Sequence, residues 1–224
     1  MTIRCILISS FTQYLLAGSE GTPSRVVQYP LFAQHYPLVI LMRFPAIEQL
    51  ALACRFERFV AGKLHAEGRR YLPLILLRLP EPPSGTLAVP LLGVVDRHHV
   101  VDAALEGRGG VARLVFLLSN VRLQEPPRQG LEAEANLSDG RASTTPTAYG
   151  RVVAVPTWEA EQQHLPYESL YTELLLDIGL GVVGVRTNAT ASSLAERLGK
   201  PRIEPGDWLR VWRSRIDILG FELE

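Results

Sequence analysis

The sequence predicts an α+β protein with a mainly antiparallel sheet and a few helices, with a small β-barrel-like arrangement as the alternative for its C-terminal region. Three observations carry that prediction. Short stretches rich in branched apolar residues recur along the chain, as strands require. Three-and-four spacing of apolar residues is confined to a few segments. The order of the two kinds of segment is irregular rather than a βαβ alternation. With 47% apolar and 21% charged residues in 224, the chain has the composition of a folded protein able to build a core without disulfides.

Thr2–Ile8 reads as a buried strand, and Arg25–Phe32 and Tyr36–Phe44 as two more around a turn at Gln34. From Pro45 the pattern reads as a change of period: Ile47, Leu50, Leu52, Cys54, Phe56, Phe59, Val60 and Leu64 recur at helical intervals up to Gly68, predicting a helix over Pro45–Glu67. Tyr71–Leu79 and Thr86–Val95 read as strands flanking a Pro-rich turn, Asp96–Glu106 as a short helix and Val111–Leu123 as a long strand.

Hydrophobicity collapses between Gln124 and Gly150, where turn formers dominate and no apolar period survives. The expected organisation is an N-terminal α+β region over residues 1–123, a long loop or linker over 124–150, and a C-terminal α+β region over 151–224, with one continuous domain as the alternative. Arg151–Val155 resumes as a strand, Pro166–Ile178 reads as a helix and Leu180–Val185 as a strand. Ala191–Leu198 reads as a helix capped by Thr190 and closed by Gly199. In the tail, Pro205-Gly-Asp207 followed by alternating Leu209 and Val211 favours two closing strands.

Charge and cysteine content narrow the function classes. Twenty-three basic and 23 acidic residues balance, which excludes a protein that holds nucleic acid by bulk charge but leaves room for a local basic patch. Of the basic residues only Lys63 and Lys200 are lysines. Cys5 and Cys54 sit in apolar contexts and read as buried thiols of a reducing compartment, and no Cys-x-x-Cys pair offers a thiolate zinc site. No apolar run has the length of a membrane span, and the N-terminal apolar stretch turns polar at Ser9, short for a signal peptide. A cytoplasmic protein without membrane contact is expected.

Catalytic motifs fare poorly. Gly179-Leu-Gly-Val-Val-Gly184 has the form of a dinucleotide fingerprint, but it lacks a preceding strand and a following helix, so no cofactor is expected. Ser19, in Ala17-Gly-Ser-Glu-Gly21, comes too early in the chain for a nucleophile elbow. The cluster Asp96-Arg-His-His-Val-Val-Asp102 would put His98 and Asp102 on one face of a helix, a spacing suited to two metal ligands, with His99 beside them. The plainer alternative is a solvated first turn capped by Asp96.

The most specific signal lies in the tail. Arg202, Trp208, Arg210, Trp212, Arg213 and Arg215 interleave guanidinium groups with aromatics, a combination that suits phosphate contact and base stacking. On a strand, Trp208, Arg210 and Trp212 would share one face, with Arg213 and Arg215 beside Leu209 and Val211 on the other. The alternative is that the tryptophans pack inside and the arginines are salt-bridged by Asp207 and Asp217. The expected function is a non-catalytic binding protein, most specifically a nucleic-acid-binding module, with a protein partner as the less specific reading. A metal-assisted hydrolase centred on His98, His99 and Asp102 and a structural subunit of a larger assembly stand as alternatives.

Overall fold

The computed structural model describes Phe44 and residues 46–138, 140–156 and 171–224. The strands expected at Thr2–Ile8, Arg25–Phe32 and in all of Tyr36–Phe44 but its last residue lie outside them, as do Ser19 and Cys5. The described chain is mostly β-sheet. Its strands are β1 (Ala51–Val60), β2 (Leu74–Arg78), β3 (Leu91–Val95), β4 (Gly109–Leu123), β5 (Gly130–Glu132), β6 (Thr147–Ala154), β7 (Glu173–Asp177), β8 (Gly181–Thr187), β9 (Trp208–Trp212) and β10 (Arg215–Leu223). Among the described residues the single α-helix is α1 (Ala191–Leu198). Thr190 caps it by accepting from the Ser193 amide, and Gly199 ends it in the left-handed conformation.

Three expected helices are corrected. Pro45–Glu67 carries β1, in which Leu52, Cys54 and Phe56 face inward while Ala51, Ala53 and Arg55 face outward. A period of two also repeats at four, so Leu50/Cys54 and Leu52/Phe56 satisfy either template. Asp96–Glu106 is a loop with a short 3-10 turn at Ala103–Leu105. The described end of Pro166–Ile178 carries β7, whose consecutive leucines 174, 175 and 176 are all buried. That strand is covered on both faces: Leu174 and Leu176 enter the main core, and Leu175 joins Phe44, Leu50, Val115 and Leu117 in a second cluster. Both closing strands of the tail are present as β9 and β10.

The strands form one large sheet in which β4 is the hub. It pairs with β1 through residues 109–112, with β10 through 110–117, with β8 through 115–119 and with β9 through 120–123. Two cycles of paired neighbours share it: β1-β2-β3-β10-β4 and β6-β7-β8-β4-β9. The first is joined at β3–β10 by a single parallel pair, Val95 with Asp217, so the sheet is no clean barrel. One apolar core runs through both cycles, from Leu52, Phe56 and Leu77 to Val183, Leu209 and Val211.

β9 and β10 run along β4 as a nearly continuous antiparallel strand, and both partners kink at the same level. Leu117 pairs with Arg215 and Asn120 with Trp212, leaving Leu118-Ser119 opposite Arg213-Ser214. Leu118 and Arg213 both take φ 57°, the left-handed region that L side chains avoid. Between them the buried Ser119 and Ser214 hydroxyls hydrogen-bond at 2.7 Å.

Within Gln124–Gly150 lie β5 and the first half of β6, and its irregular stretch is tied to β3. The Gly93 amide donates to Ser143 O and the Ser143 amide to Leu91 O. Glu134 gathers the loop by accepting from the Ser143 hydroxyl and from the Thr144 and Thr145 amides. Among the described residues no helix is long and apolar enough to cross a membrane.

Candidate nucleic-acid interface

β9 lies between β4 and β6, and its alternation is set by what the core demands. Leu209 and Val211 are fully buried, so Trp208, Arg210 and Trp212 share the opposite face. Both tryptophans are half-buried on that outer face rather than sealed in the core. Register then brings in residues from the flanking strands. Arg122 stands opposite Arg210, Asn120 opposite Trp212, Tyr149 opposite Arg210 and Arg151 opposite Trp208.

The result is an array of cations around aromatic rings. The guanidinium carbons of Arg122 and Arg210 each lie 5.6 Å from the Trp212 ring centroid. Arg210 is also 5.9 Å from the ring of Tyr149, which Arg128 covers at 4.1 Å. These distances are within the range of cation–π attraction. Tyr149 is buried beneath its arginines and donates its hydroxyl to Glu132 at 2.6 Å. Burial, and then that bond, push its pKa up. Tyr149 therefore supports the face from below, and Trp212 is the ring with surface to offer.

Arg128 is held in place by Gln124. The Gln124 side chain accepts from the Arg128 amide at 2.9 Å and donates to Leu209 O at 2.8 Å. Beside Trp212, residues Asn120, Arg122, Arg197, Trp212 and Arg213 line a groove of about 470 Å³. Arg122, Arg128, Arg210 and Arg213 form no ion pair with a carboxylate of the described residues. Four guanidiniums without a carboxylate ion pair among the described residues thus gather positive charge on this side of a chain whose formal charge is zero.

The other expected tail residues are placed differently. Arg215 is bound to the buried Asp217 through two hydrogen bonds of 2.7 and 2.9 Å. Arg202 pairs with Glu204 and lines a separate groove with Leu194 and Ile203. Asp207 is taken by Lys200. The kink breaks the alternation that put Arg213 on the face of Leu209 and Val211: Arg213 is exposed and borders the Trp212 groove. Arg122, Arg128, Tyr149 and Arg197 were not anticipated. For Arg122 a signal existed, since it alternates with the buried Val121 and shares parity with Asn120. Tyr149 arrives only through strand register, and Arg128 only through the Gln124-held loop that carries it over the Tyr149 ring.

The histidine cluster has a different geometry from the one its spacing suggested. No helix carries it: Asp96 is buried and accepts from the Val100 and Val101 amides, and Asp102 caps the 3-10 turn through the Ala104 amide. The i, i+4 relation of His98 and Asp102 on one helix face is therefore not formed, and His99 sits at φ 52°. Among the described residues no three His, Cys, Asp or Glu side chains group as metal ligands would. Gly179-Leu-Gly-Val-Val-Gly184 is the β7–β8 turn and the start of β8, with the Phe44 ring packed where a Cβ on Gly184 would stand. Its segments are strand, turn and strand, without the helix N-terminus that would receive a phosphate.

No protein-family model, curated protein or solved structure matches the chain.

Proposed function

We propose that this chain is a non-catalytic, cytoplasmic nucleic-acid-binding module, and that the outer face of β4, β9 and β6 takes single-stranded DNA or RNA. The observation that carries the reading is Trp212. It is partly exposed on a sheet face, two guanidiniums are at its ring, and Arg122, Arg128, Arg210 and Arg213 on this side of the sheet lack carboxylate partners among the described residues. Single-strand binders combine such elements: a cationic track for phosphates and an aromatic on which an unpaired base stacks. Bases in a duplex are stacked on one another and offer no free face, so the tryptophan favours single strands.

The pairing pattern supports the same reading. Each cycle has five strands, the size of the small Greek-key barrels whose sheet faces and adjoining loops bind oligonucleotides. We read the two cycles as partly open barrels of that kind, fused along β4. The free, buried Cys54 is in keeping with a reducing compartment.

The test is binding of the purified protein to labelled single-stranded DNA, single-stranded RNA and duplex DNA over a salt series. Affinity for single strands is expected to exceed that for duplex and to fall steeply with salt, and Arg210→Ala and Arg122→Ala to weaken it. Absence of binding at low salt would sink the reading.

A further inference from the structure

On the far side of Arg213 a second groove, of about 490 Å³, opens between the β2–β3 edge, the loop around Thr144 and the start of β10. Arg213 borders both grooves. The two differ in chemistry. The first is cationic and holds Trp212. The second is lined by Leu74, Val95 and Ile216, with Thr144 and Thr145 at its rim. Arg215 adds no net charge there, because Asp217 neutralises it.

Resting on the single-strand reading, we propose that this second groove is a nucleobase pocket, so that one strand crosses the kink with a base on each side of it. One base stacks on Trp212, the phosphate that follows meets Arg213, and the next base enters the apolar groove. A volume of this order is that of small-molecule sites, which pair apolar walls with a few fixed polar groups. The polar group here is Thr144, whose hydroxyl has no hydrogen-bond partner among the described residues, whereas the Thr145 hydroxyl donates to Glu134. The Thr144 backbone is tied down by its amide, which also donates to Glu134.

Two further features fit a built pocket. Gly93 forms part of the wall, and a Cβ there would stand 2.8 Å from the Thr144 methyl carbon, so a larger residue would push the Thr144 side chain from its present position. Arg213, the residue that joins the grooves, is one of four non-glycine residues at positive φ among the described residues. Side chains held in such conformations by the surrounding structure concentrate at ligand sites.

The experiment uses the full chain and thymidine oligomers. A length series of about 4 to about 16 nucleotides gives the shortest oligomer that binds at full strength, one with no room to slide. Each of its positions is then replaced in turn by an abasic residue. Two neighbouring positions are expected to be sensitive, each losing at least about fivefold in affinity. Trp212→Ala abolishes the sensitivity at one; Thr144→Phe, which fills the groove from an exposed position, abolishes it at the other. Thr144→Val, which removes only the hydroxyl, weakens binding at that second position alone. A single sensitive position, with Thr144→Phe binding like the parent, overturns the pocket and leaves the single-strand reading standing. Failure of every oligomer to bind overturns both.

Discussion

Replacing Arg213 by glycine separates what the kink costs the fold from what it does for the surface. At φ 57° an L residue is disfavoured by about 1–2 kcal/mol relative to the right-handed conformation. Glycine escapes that penalty but gives up about 0.5–1 kcal/mol by being freer in the unfolded chain. Arg213 is exposed and forms no ion pair among the described residues, so no ion pair of theirs is lost with its side chain. The net expectation is a gain of about 0–1.5 kcal/mol, and a melting temperature unchanged or raised by up to about 6 °C in a chain of this size. Oligonucleotide affinity moves the opposite way. Loss of one phosphate contact makes the slope of log affinity against log salt shallower by about 0.7. Thermal unfolding followed by circular dichroism and anisotropy titrations in several salt concentrations read both quantities on one preparation. A variant that melts several degrees lower, or one that binds with the parental salt slope, refutes the reasoning.

The Glu134 clamp makes a second prediction. Burial by itself would raise its pKa, but the Ser143 hydroxyl and the Thr145 bonds outweigh it and hold the carboxyl down to about 2, against an ordinary 4.5. A depressed pKa means stability that is present above the unfolded value and lost as pH falls from about 4.5 toward 2. Glu134→Gln should therefore cost about 1–2 kcal/mol at neutral pH, and the difference from the parent in denaturant melts should vanish near pH 2. Cys54, whose thiol burial pushes up to about 12, should resist thiol reagents at neutral pH in a Cys5→Ser background and react once urea unfolds the chain. Equal labelling with and without urea would count against the inward face of β1. On that strand Leu52→Ala should cost about 2–5 kcal/mol and Ala53→Lys under about 0.5, a contrast measurable by chemical denaturation.

What the sequence revealed about the fold depended on whether a local pattern had one structural meaning. Val111–Leu123, with a long run of branched apolar residues, could be little other than a strand. Ala191–Leu198 carried both its caps. Leu50, Leu52, Cys54 and Phe56 were ambiguous, since alternation reproduces the i, i+4 spacing of a helix, and no tertiary information was present to choose. β7 misled for another reason: a strand buried on both faces shows no alternation at all. The collapse of hydrophobicity at Gln124–Gly150 was real, but its order comes from Glu134 and from hydrogen bonds to β3, contacts between residues distant in sequence.

The candidate site was legible in its central strand alone. Trp208, Arg210 and Trp212 share a face because Leu209 and Val211 must be inside, and that logic is local. Arg122 and Tyr149 join them through the β4–β9 and β6–β9 registers, and Arg128 through the loop that Gln124 ties down, none of which a short window of sequence encodes. The separation of Arg213 from Arg215 turns on the shared kink, where two residues on each strand leave the ladder.

The most direct test of the account is the fluorescence of Trp212 itself, in a Trp158→Phe, Trp208→Phe variant that leaves it the sole tryptophan. Titration with single-stranded oligonucleotide should quench its emission saturably, and added salt should restore it, because a stacked base and released counterions demand both. Emission that does not change while the oligonucleotide binds, or an oligonucleotide that does not bind at low salt, would contradict the assignment of this face.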